Sequence, residues 1–563
     1  MTHKDSRSRG LEDDRAQRRR AIEETGRSFV VEASAGTGKT STLIRRILHL
    51  VLEKGPSGVP LPLSRICAIT FTEKAAGEMK VRLRQHFEEI LAGGPVSGNS
   101  PSDGGLTQAI AGRARDALRD LETASISTFH SFAVSLLKER PVEAGLDPRF
   151  TALDEIQSEL FFREVWEFWI GRALAERQPV LERALRGGLR LESLEELART
   201  LRHNAPAVRL LSCDSPAAEE RIQEQMRILL ERGGGFLGQI LNPADKLIDH
   251  LDKAVNWLKN PLPNSDPPSR PGKAGSAANW SGGKETVQAV QSFVREVADF
   301  YASCRKLPAQ RLLHEVIRWL IDDFLPQWES RKLAGGLLDF DDQLWMARDL
   351  LLRSDAVRRE FQSRYAALLV DEFQDTDPVQ WDIVRLLSSA DPANADAHRC
   401  RPGPGRLFIV GDPKQSIYRF RSADIETYLS IVDPESMESL GLEKLQLTTN
   451  FRSVPSILRF VDAAFDGVME AASDGRYQPD YLPFGDHGDR TVESRSPAVS
   501  LLGDRENKGE SFATVREFLA CEASRIARLI RRMIGSDSWK VQDSIGGKDA
   551  PWRPPRYGDI AVL

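Results

Sequence analysis

The segment best suited to do chemistry is residues 33–40, in which small residues and two glycines lead to a lysine and a threonine. Apolar residues 29–31 precede it and predict a buried strand, and the apolar residues after it recur at helical spacing. A glycine-rich turn between a strand and a helix N-terminus is typical of a phosphate loop. We expect its backbone N–H groups to hold a nucleoside triphosphate, with Lys39 on the β and γ oxygens and Thr40 on Mg²⁺.

Two adjacent carboxylates, Asp371 and Glu372, follow an apolar strand predicted over residues 365–370. The carboxyl end of such a strand, beside a phosphate loop, is where α/β sheets bind ligands. In that position Asp371 would hold Mg²⁺, and Glu372 would orient and deprotonate the attacking water. An Asp-Glu pair alone is weak support, since most such pairs are solvated turn residues, but the phosphate loop favours the functional interpretation.

A third predicted strand leads into residues 411–421, which combine an amide, two aromatic rings and arginines. Tyr418 and Phe420 could stack on bases while Arg419 or Arg421 meets a phosphate, as in grooves for single-stranded nucleic acid. Considered alone, the segment fits the alternative equally well, namely aromatic packing in a core beside solvated charges.

The elements that must position these residues alternate between strands and helices up to about residue 136 and again from about residue 366, which predicts a parallel sheet covered by helices. Between these stretches the periodicity is helical, apart from a loop rich in Pro, Ser and Gly near 260–283. We therefore expect an α/β domain split by a helical insertion. The expected regions are a flexible N-terminus over 1–11, a first domain over 12–136 and 337–430, the insertion over 137–336, and a second, partial α/β domain over 431–563.

Composition limits the remaining possibilities. With 563 residues the chain is too long for one core, and no apolar run approaches the length needed to cross a bilayer. The charged N-terminal residues lack an apolar segment behind them, so we expect no secretory signal and a cytoplasmic location. The five cysteines are scattered without C-x-x-C spacing, which argues against disulfides, zinc and iron–sulfur clusters. The net charge of −5 restricts any DNA contact to a local groove.

Six segments resemble, in order, the motifs of the UvrD/Rep-type superfamily 1 DNA helicases, and within them the RecB/AddA (exonuclease V) branch. These segments are residues 33–40, 68–79, 127–132, 370–377, 411–424 and 447–453. The amino-acid sequence of three segments favours the exonuclease V branch, namely residues 32–40, 338–342 and 411–415.

This resemblance implies an ATP-dependent DNA helicase or translocase, moving 3′ to 5′, that serves DNA repair or recombination with ATP and Mg²⁺ as cofactors. The fold implied is a RecA-like motor domain, with helices on both faces of its parallel sheet, split by the helical insertion and followed by an incomplete second RecA-like domain. The partners implied are DNA, both as a single-stranded track and as a duplex end, and a second helicase/nuclease subunit.

The resemblance also implies roles for individual residues. Gln17 would recognise adenine and Phe451 would stack on it, Arg452 would act as an arginine finger on the γ-phosphate, and Gln415 would couple that phosphate to the DNA groove. The implied catalytic residues are Lys39, Asp371, Glu372, Gln415 and Arg452. The implied nucleotide-binding residues are Gln17, Ala33, Ser34, Ala35, Gly36, Thr37, Gly38, Lys39, Thr40 and Phe451, with Thr40 and Asp371 on the metal. The implied DNA contacts are Phe71, Thr72, His130, Tyr418, Phe420 and Arg421.

The end of the sequence leaves a second function open. Residues 559–563 predict a buried strand, and motifs V and VI of the family do not occur before them, so we expect an N-terminal fragment of a longer protein. The alternative is a nucleotide-dependent DNA-binding module or subunit without unwinding activity of its own. A phosphate-loop ATPase that acts on something other than nucleic acid is disfavoured by the aromatic and basic residues 418–421.

Overall fold

The computed structural model describes residues 3–94, 108–203, 208, 216–260, 268–419, 423–470, 478–479, 481–484, 499, 514–534, 539–542 and 551–562. The chain divides into two compact units. Unit 1 comprises residues 1–145 and 343–563, and unit 2 comprises residues 146–342. The boundary that the sequence suggested at 136 falls inside a continuous helix, Phe129–Glu139, because helical periodicity runs through that point without a break.

Ten strands occur in the described residues. They are β1 Ser28–Ala33, β2 Ile66–Thr70, β3 Ser125–Thr128, β4 Thr151–Ala152, β5 Leu337–Leu338, β6 Ala367–Val370, β7 Leu407–Gly411, β8 Leu442–Leu447, β9 Val541–Gln542 and β10 Trp552–Arg553.

The α-helices of the described residues follow in chain order. They are α1 His3–Glu23, α2 Lys39–Leu52, α3 Glu73–Leu91, α4 Gln108–Asp120, α5 Phe129–Glu139, α6 Glu155–Ala175, α7 Pro179–Arg186, α8 Leu191–His203, α9 Pro216–Leu237, α10 Lys246–Lys259, α11 Gly283–Cys304, α12 Leu307–Trp319, α13 Leu325–Ala334, α14 Phe340–Arg353, α15 Asp355–Arg364, α16 Pro378–Ser388, α17 Ile425–Val432, α18 Pro434–Leu440, α19 Pro455–Phe465 and α20 Val515–Ile534.

Unit 1 is a mixed α/β structure around a six-stranded parallel sheet with the order β3-β2-β6-β7-β1-β8. The four inner strands are buried along their whole length, which explains their uninterrupted apolar runs. Helices flank the sheet, and the apolar faces of α2 and α3 pack against it through Leu43, Ile47, Met79 and Phe87.

The register of this sheet determines where the chemistry can lie. Val31 of β1 is level with Val410 of β7, and Val370 of β6 is level with Ile409. The loops that follow β1, β6 and β7 therefore leave the sheet at the same edge, as does the loop after β8, whose Leu447 is level with Ala33. The segments after β2 and β3 leave at this edge too, because those strands are parallel to the others, so all six motif segments lie there.

The structure differs from the sequence expectations at three places. Residues 3–11, expected as a flexible N-terminus, are helical as the first turns of the arginine-rich α1. β8, assigned to a second domain, pairs with β1 as the edge strand of the first sheet, and its alternating leucines and polar residues fit that position. Residues 560–562 form no strand, and Val562 is 65% exposed.

Unit 2 is mainly helical and has two apolar clusters of its own. One is rich in aromatic side chains from α6 and α13, among them Trp169 and Trp328. The other joins α10 and α11 around Trp257 and Phe293. Among all described helices, none is long and apolar enough to cross a membrane.

Candidate nucleotide and DNA site

The loop between β1 and α2 has the geometry of an anion cradle. Gly36 and Gly38 adopt left-handed conformations with φ of 76° and 82°, and no side chain caps the N-terminus of α2 at Gly38. The amide and hydroxyl of Thr37 donate to the carbonyl of Ser34, at 3.2 and 2.7 Å, which closes the turn. An uncapped helix N-terminus offers free amides and a positive dipole end, so these residues fit a phosphate group.

Lys39, the first residue of α2, donates to Glu372 Oε2 at 2.8 Å, and its side chain is 10% exposed. Glu372 has a φ of 50°, which is uncommon for a residue with a Cβ and is often found at functional sites. The strained turn directs its carboxylate toward the phosphate loop. The predicted lysine and the predicted base are therefore in direct contact.

Asp371 directly precedes this base and is almost fully buried. Its Oδ1 accepts from the amide of Glu372 at 3.0 Å, and its own amide donates to Ile69 of β2. Burial and the charge of Glu372 raise its pKa to about 6, against the opposing effect of Lys39. A buried carboxylate beside a second one gains from a cation, so Asp371 fits the Mg²⁺ position expected of it. Thr40, its expected partner on the metal, is the second residue of α2.

Gln374 joins the loop after β6 to the loop after β7. Its Nε2 donates to Glu372 Oε2 at 2.9 Å and to Asp375 Oδ2 at 3.1 Å, and its Oε1 accepts from the amide of Asp412 at 2.9 Å. The side chain is 1% exposed, so a partner lost here would not be replaced by bulk water. The position of the base therefore depends on the neighbouring loop.

The loop after β7 contacts the phosphate loop through a residue that the sequence analysis did not select. Gln415, expected beside the γ-phosphate, donates from Nε2 to Asp412 Oδ2 at 2.7 Å. Lys414 donates to the hydroxyl of Ser34 at 3.2 Å and lies 3.1 Å from Asp412 Oδ1. Of these two side chains, only Lys414 makes a hydrogen bond to residues 33–40 in the described structure.

The segment after β8 closes over the phosphate loop. Asn450 donates from Nδ2 to the carbonyl of Ala35 at 2.7 Å, and the amide of Phe451 donates to the carbonyl of Gly36 at 2.8 Å. A Cβ on Gly36 would lie 2.7 Å from Asn450 Nδ2 and 2.8 Å from Arg452 Cβ. Only glycine allows this approach, which brings Phe451 and the exposed Arg452 to the loop.

Helix α1 positions this segment from the other side. Asp14 Oδ1 accepts from the amides of Thr448 and Thr449, at 2.8 and 3.1 Å, and Asp14 also pairs with Arg18. The Arg18 guanidinium lies 5.2 Å from the centre of the Phe451 ring. This stacking holds the ring that is expected to meet the base.

The side chain of Gln17 also contacts β8. Its Oε1 accepts from the amide of Gln446 at 2.6 Å, and its Nε2 donates to Asp13 at 3.3 Å. To recognise adenine as expected, its amide group would have to exchange these partners.

The residues predicted to touch DNA fall into three groups. Phe71 and Tyr418 pack together with ring centres 4.6 Å apart. The Thr72 hydroxyl caps α3 by accepting from Ala75, and burial lowers the pKa of His130 to about 3, so its imidazole is neutral near pH 7. Phe420 and Arg421 lie outside the described residues.

Sequence reasoning missed five residues that organise the site. They are Asp14, Arg18, Gln374, Lys414 and Asn450. Each lies next to, or within three residues of, a residue that was selected, and Asn and Asp after a strand commonly bond to nearby backbone. That pattern could have pointed to Asn450, whereas the contacts of the others depend on elements distant in sequence.

Two comparisons place this geometry among known proteins. The family described as UvrD/REP helicase N-terminal domain matches residues 14–434. The chain is also similar to a subunit of the ATP-dependent helicase/nuclease of Pediococcus pentosaceus, with 26% identity over 97% of this chain and 46% of that protein. For the proteins of the same name from Anoxybacillus flavithermus and Pelotomaculum thermopropionicum the identity is 27%, over 96% and 97% of this chain and 47% and 48% of theirs. The chain spans about half the length of the curated relatives it matches.

Proposed function

Since this chain belongs to the UvrD/REP helicase family, we propose that it is the ATP-hydrolysing part of a DNA helicase that moves 3′ to 5′ along single-stranded DNA in repair or recombination. One observation carries the proposal. At one edge of the sheet the phosphate loop contacts the loop after β6 through Lys39 and Glu372, and the loop after β7 through Ser34 and Lys414. Tyr418 of the loop after β7 packs on Phe71. A phosphate cradle and an aromatic platform for bases are thus parts of one connected structure.

The mechanism follows from contacts already present. Triphosphate oxygens would compete with Glu372 for the Lys39 ammonium, and the freed carboxylate would then accept a proton from the attacking water. Bound Mg²⁺, held by Asp371 and Thr40, would supply neutralising charge. Arg452, next to the loop at Gly36, would stabilise the charge that develops on the transferred phosphate.

The relatives named as helicase/nuclease subunits suggest the kind of assembly in which this motor works. We propose that it works on DNA as one component of a larger helicase–nuclease assembly. The second motor domain proposed after β8 would supply the partner surface that closes on ATP.

The test is DNA-stimulated ATP hydrolysis by the intact protein with Lys39→Ala. We expect a loss of about 10²–10³-fold, the range observed when one donor to transition-state charge is removed. Lys253→Ala, which removes a surface lysine that pairs with Asp249 in unit 2, is the control and should hydrolyse ATP normally. Unchanged hydrolysis by Lys39→Ala would overturn the proposal. Failure of the wild-type protein to form product in a single turnover with single-stranded DNA would instead support the non-hydrolysing module.

A further inference from the structure

A second lysine is enclosed at the phosphate loop. The Lys414 ammonium lies 3.2 Å from Ser34 Oγ and 3.1 Å from Asp412 Oδ1, and its side chain is 7% exposed. Lys39 reaches the loop from α2, whereas Lys414 reaches it from the segment after β7. The loop therefore has a lysine from each of two neighbouring elements.

The partners of Lys414 differ in how firmly they are fixed. Asp412 is 1% exposed, accepts from Gln415 on its other oxygen, and donates its amide to Gln374. Ser34 offers only a neutral hydroxyl. The ammonium is the movable member of this group, because it is a compact charge on a flexible four-carbon stem.

An anion bound in the loop would change this arrangement. The Ser34 hydroxyl is neutral whereas a phosphate oxygen is negatively charged, so the Lys414 ammonium gains Coulomb attraction when it exchanges the hydroxyl for phosphate. Lys39 serves the β-phosphate once phosphate oxygens displace Glu372 from it. A second cation from the loop after β7 is most useful for the additional negative charge of a triphosphate, which a diphosphate lacks.

We propose that Lys414 distinguishes ATP from ADP at this site and transmits that difference toward DNA. Its ammonium exchanges the Ser34 hydroxyl for the terminal phosphate. This exchange alters the ion pair between Lys414 and Asp412, and thereby the position of residues 412–419. That segment places Tyr418 beside Phe71. The inference rests on the proposed function, because it assumes that the loop binds ATP.

The experiment measures the affinity of the intact protein for ADP and for a non-hydrolysable ATP analogue. We expect Lys414→Met to weaken binding of the analogue about tenfold or more and binding of ADP less than about twofold, because a charge-assisted contact to the terminal phosphate is lost. The double variant Lys414→Met with Asp412→Asn leaves no buried carboxylate unpaired and should show the same selective loss. Lys253→Met removes a surface lysine that pairs with the exposed Asp249 in unit 2 and should change neither affinity.

A second measurement tests transmission. Single-stranded DNA affinity of the wild-type protein should change when the analogue is added, and that change should disappear in Lys414→Met even when the analogue saturates the variant. Equal losses of ADP and analogue, or an unaltered effect of the analogue on DNA affinity, would overturn this inference alone. Absence of nucleotide binding by the wild-type protein would overturn the proposed function, and this inference with it.

Discussion

Two clusters in this protein each combine one lysine with two aspartate or glutamate side chains, yet their surroundings differ. The phosphate-loop cluster of unit 1 consists of Lys39, Asp371 and Glu372. In it, the lysine has one carboxylate partner and lies beside an uncapped helix N-terminus. Its charges can therefore be rearranged by a ligand.

The turn cluster of unit 2 consists of Lys332, Asp339 and Asp342. Lys332 Nζ lies 2.7 Å from Asp339 and 2.5 Å from Asp342, and each aspartate accepts from the backbone amide of the other at 3.0–3.1 Å. This reciprocal pattern at the start of α14 resembles a helix capping box. Its polar groups satisfy one another within the turn, so the same residue types stabilise structure in one unit and remain available for a ligand in the other.

The largest expected effect is on the free energy of unfolding, which should depend much more on the lysine of the turn cluster than on that of the phosphate-loop cluster. Lys332→Met should destabilise unit 2 by about 3–5 kcal/mol, the cost of removing one partner from a buried ion pair. Denaturant unfolding followed by tryptophan fluorescence would report it, because Lys332 lies 5.0 Å from the Trp328 ring. Lys39→Met is the matched change and should cost only about 1 kcal/mol or less, since its partner is 35% exposed. Equal losses would show that the two clusters do not differ in the way the contacts indicate.

The next effect concerns pH. Burial and the charge of Asp339 raise the pKa of Asp342 to about 7, whereas the pKa of an aspartate in the unfolded chain is about 3.9. The folded state then binds a proton that the unfolded state releases, so the stability contributed by Asp342 falls as pH rises from about 4 to about 7. Asp342→Asn imitates the protonated form, so its thermal midpoint relative to wild type should rise between about pH 4 and about pH 7. A constant difference across that range would contradict the assignment.

Much of this organisation could be predicted from the sequence. The resemblance to UvrD/Rep-type helicases is confirmed by the family match, and β1, β6 and β7 lie where the apolar runs predicted strands. Those predictions rest on local patterns, a period of two or of 3.6 residues and a glycine-rich turn.

What could not be predicted depends on side-chain and strand contacts that local residue patterns do not show. The sequence of residues 338–342 matched the exonuclease V branch, but it did not show that the partner of their carboxylates is a lysine on the preceding helix. The resemblance pointed to Gln415, and nothing local shows that the adjacent Lys414 is the side chain that bonds to the loop after another strand. β8 was assigned to a second domain for the same reason, because strand pairing with β1 is not visible in its own residues.

The smallest expected effect tests whether the phosphate-loop cluster, unlike the turn cluster, is linked to a DNA-binding surface. The phosphate-loop cluster connects through Gln374 to the loop that carries Tyr418, whose ring packs on Phe71. If that pair stacks on a base, Tyr418→Ala should weaken single-stranded DNA binding by about 1–3 kcal/mol while leaving the free energy of unfolding of unit 2 unchanged.

The salt dependence of this variant is the sharper measurement. Removing an uncharged ring should lower affinity at every salt concentration without changing the slope of log affinity against log salt, because no phosphate-neutralising cation is lost. Tyr557→Ala, which removes a tyrosine that is 68% exposed, is the control and should bind DNA normally. A smaller salt slope in Tyr418→Ala would mean that the tyrosine acts by positioning a cation, and the loop would then be an electrostatic contact rather than a stacking platform.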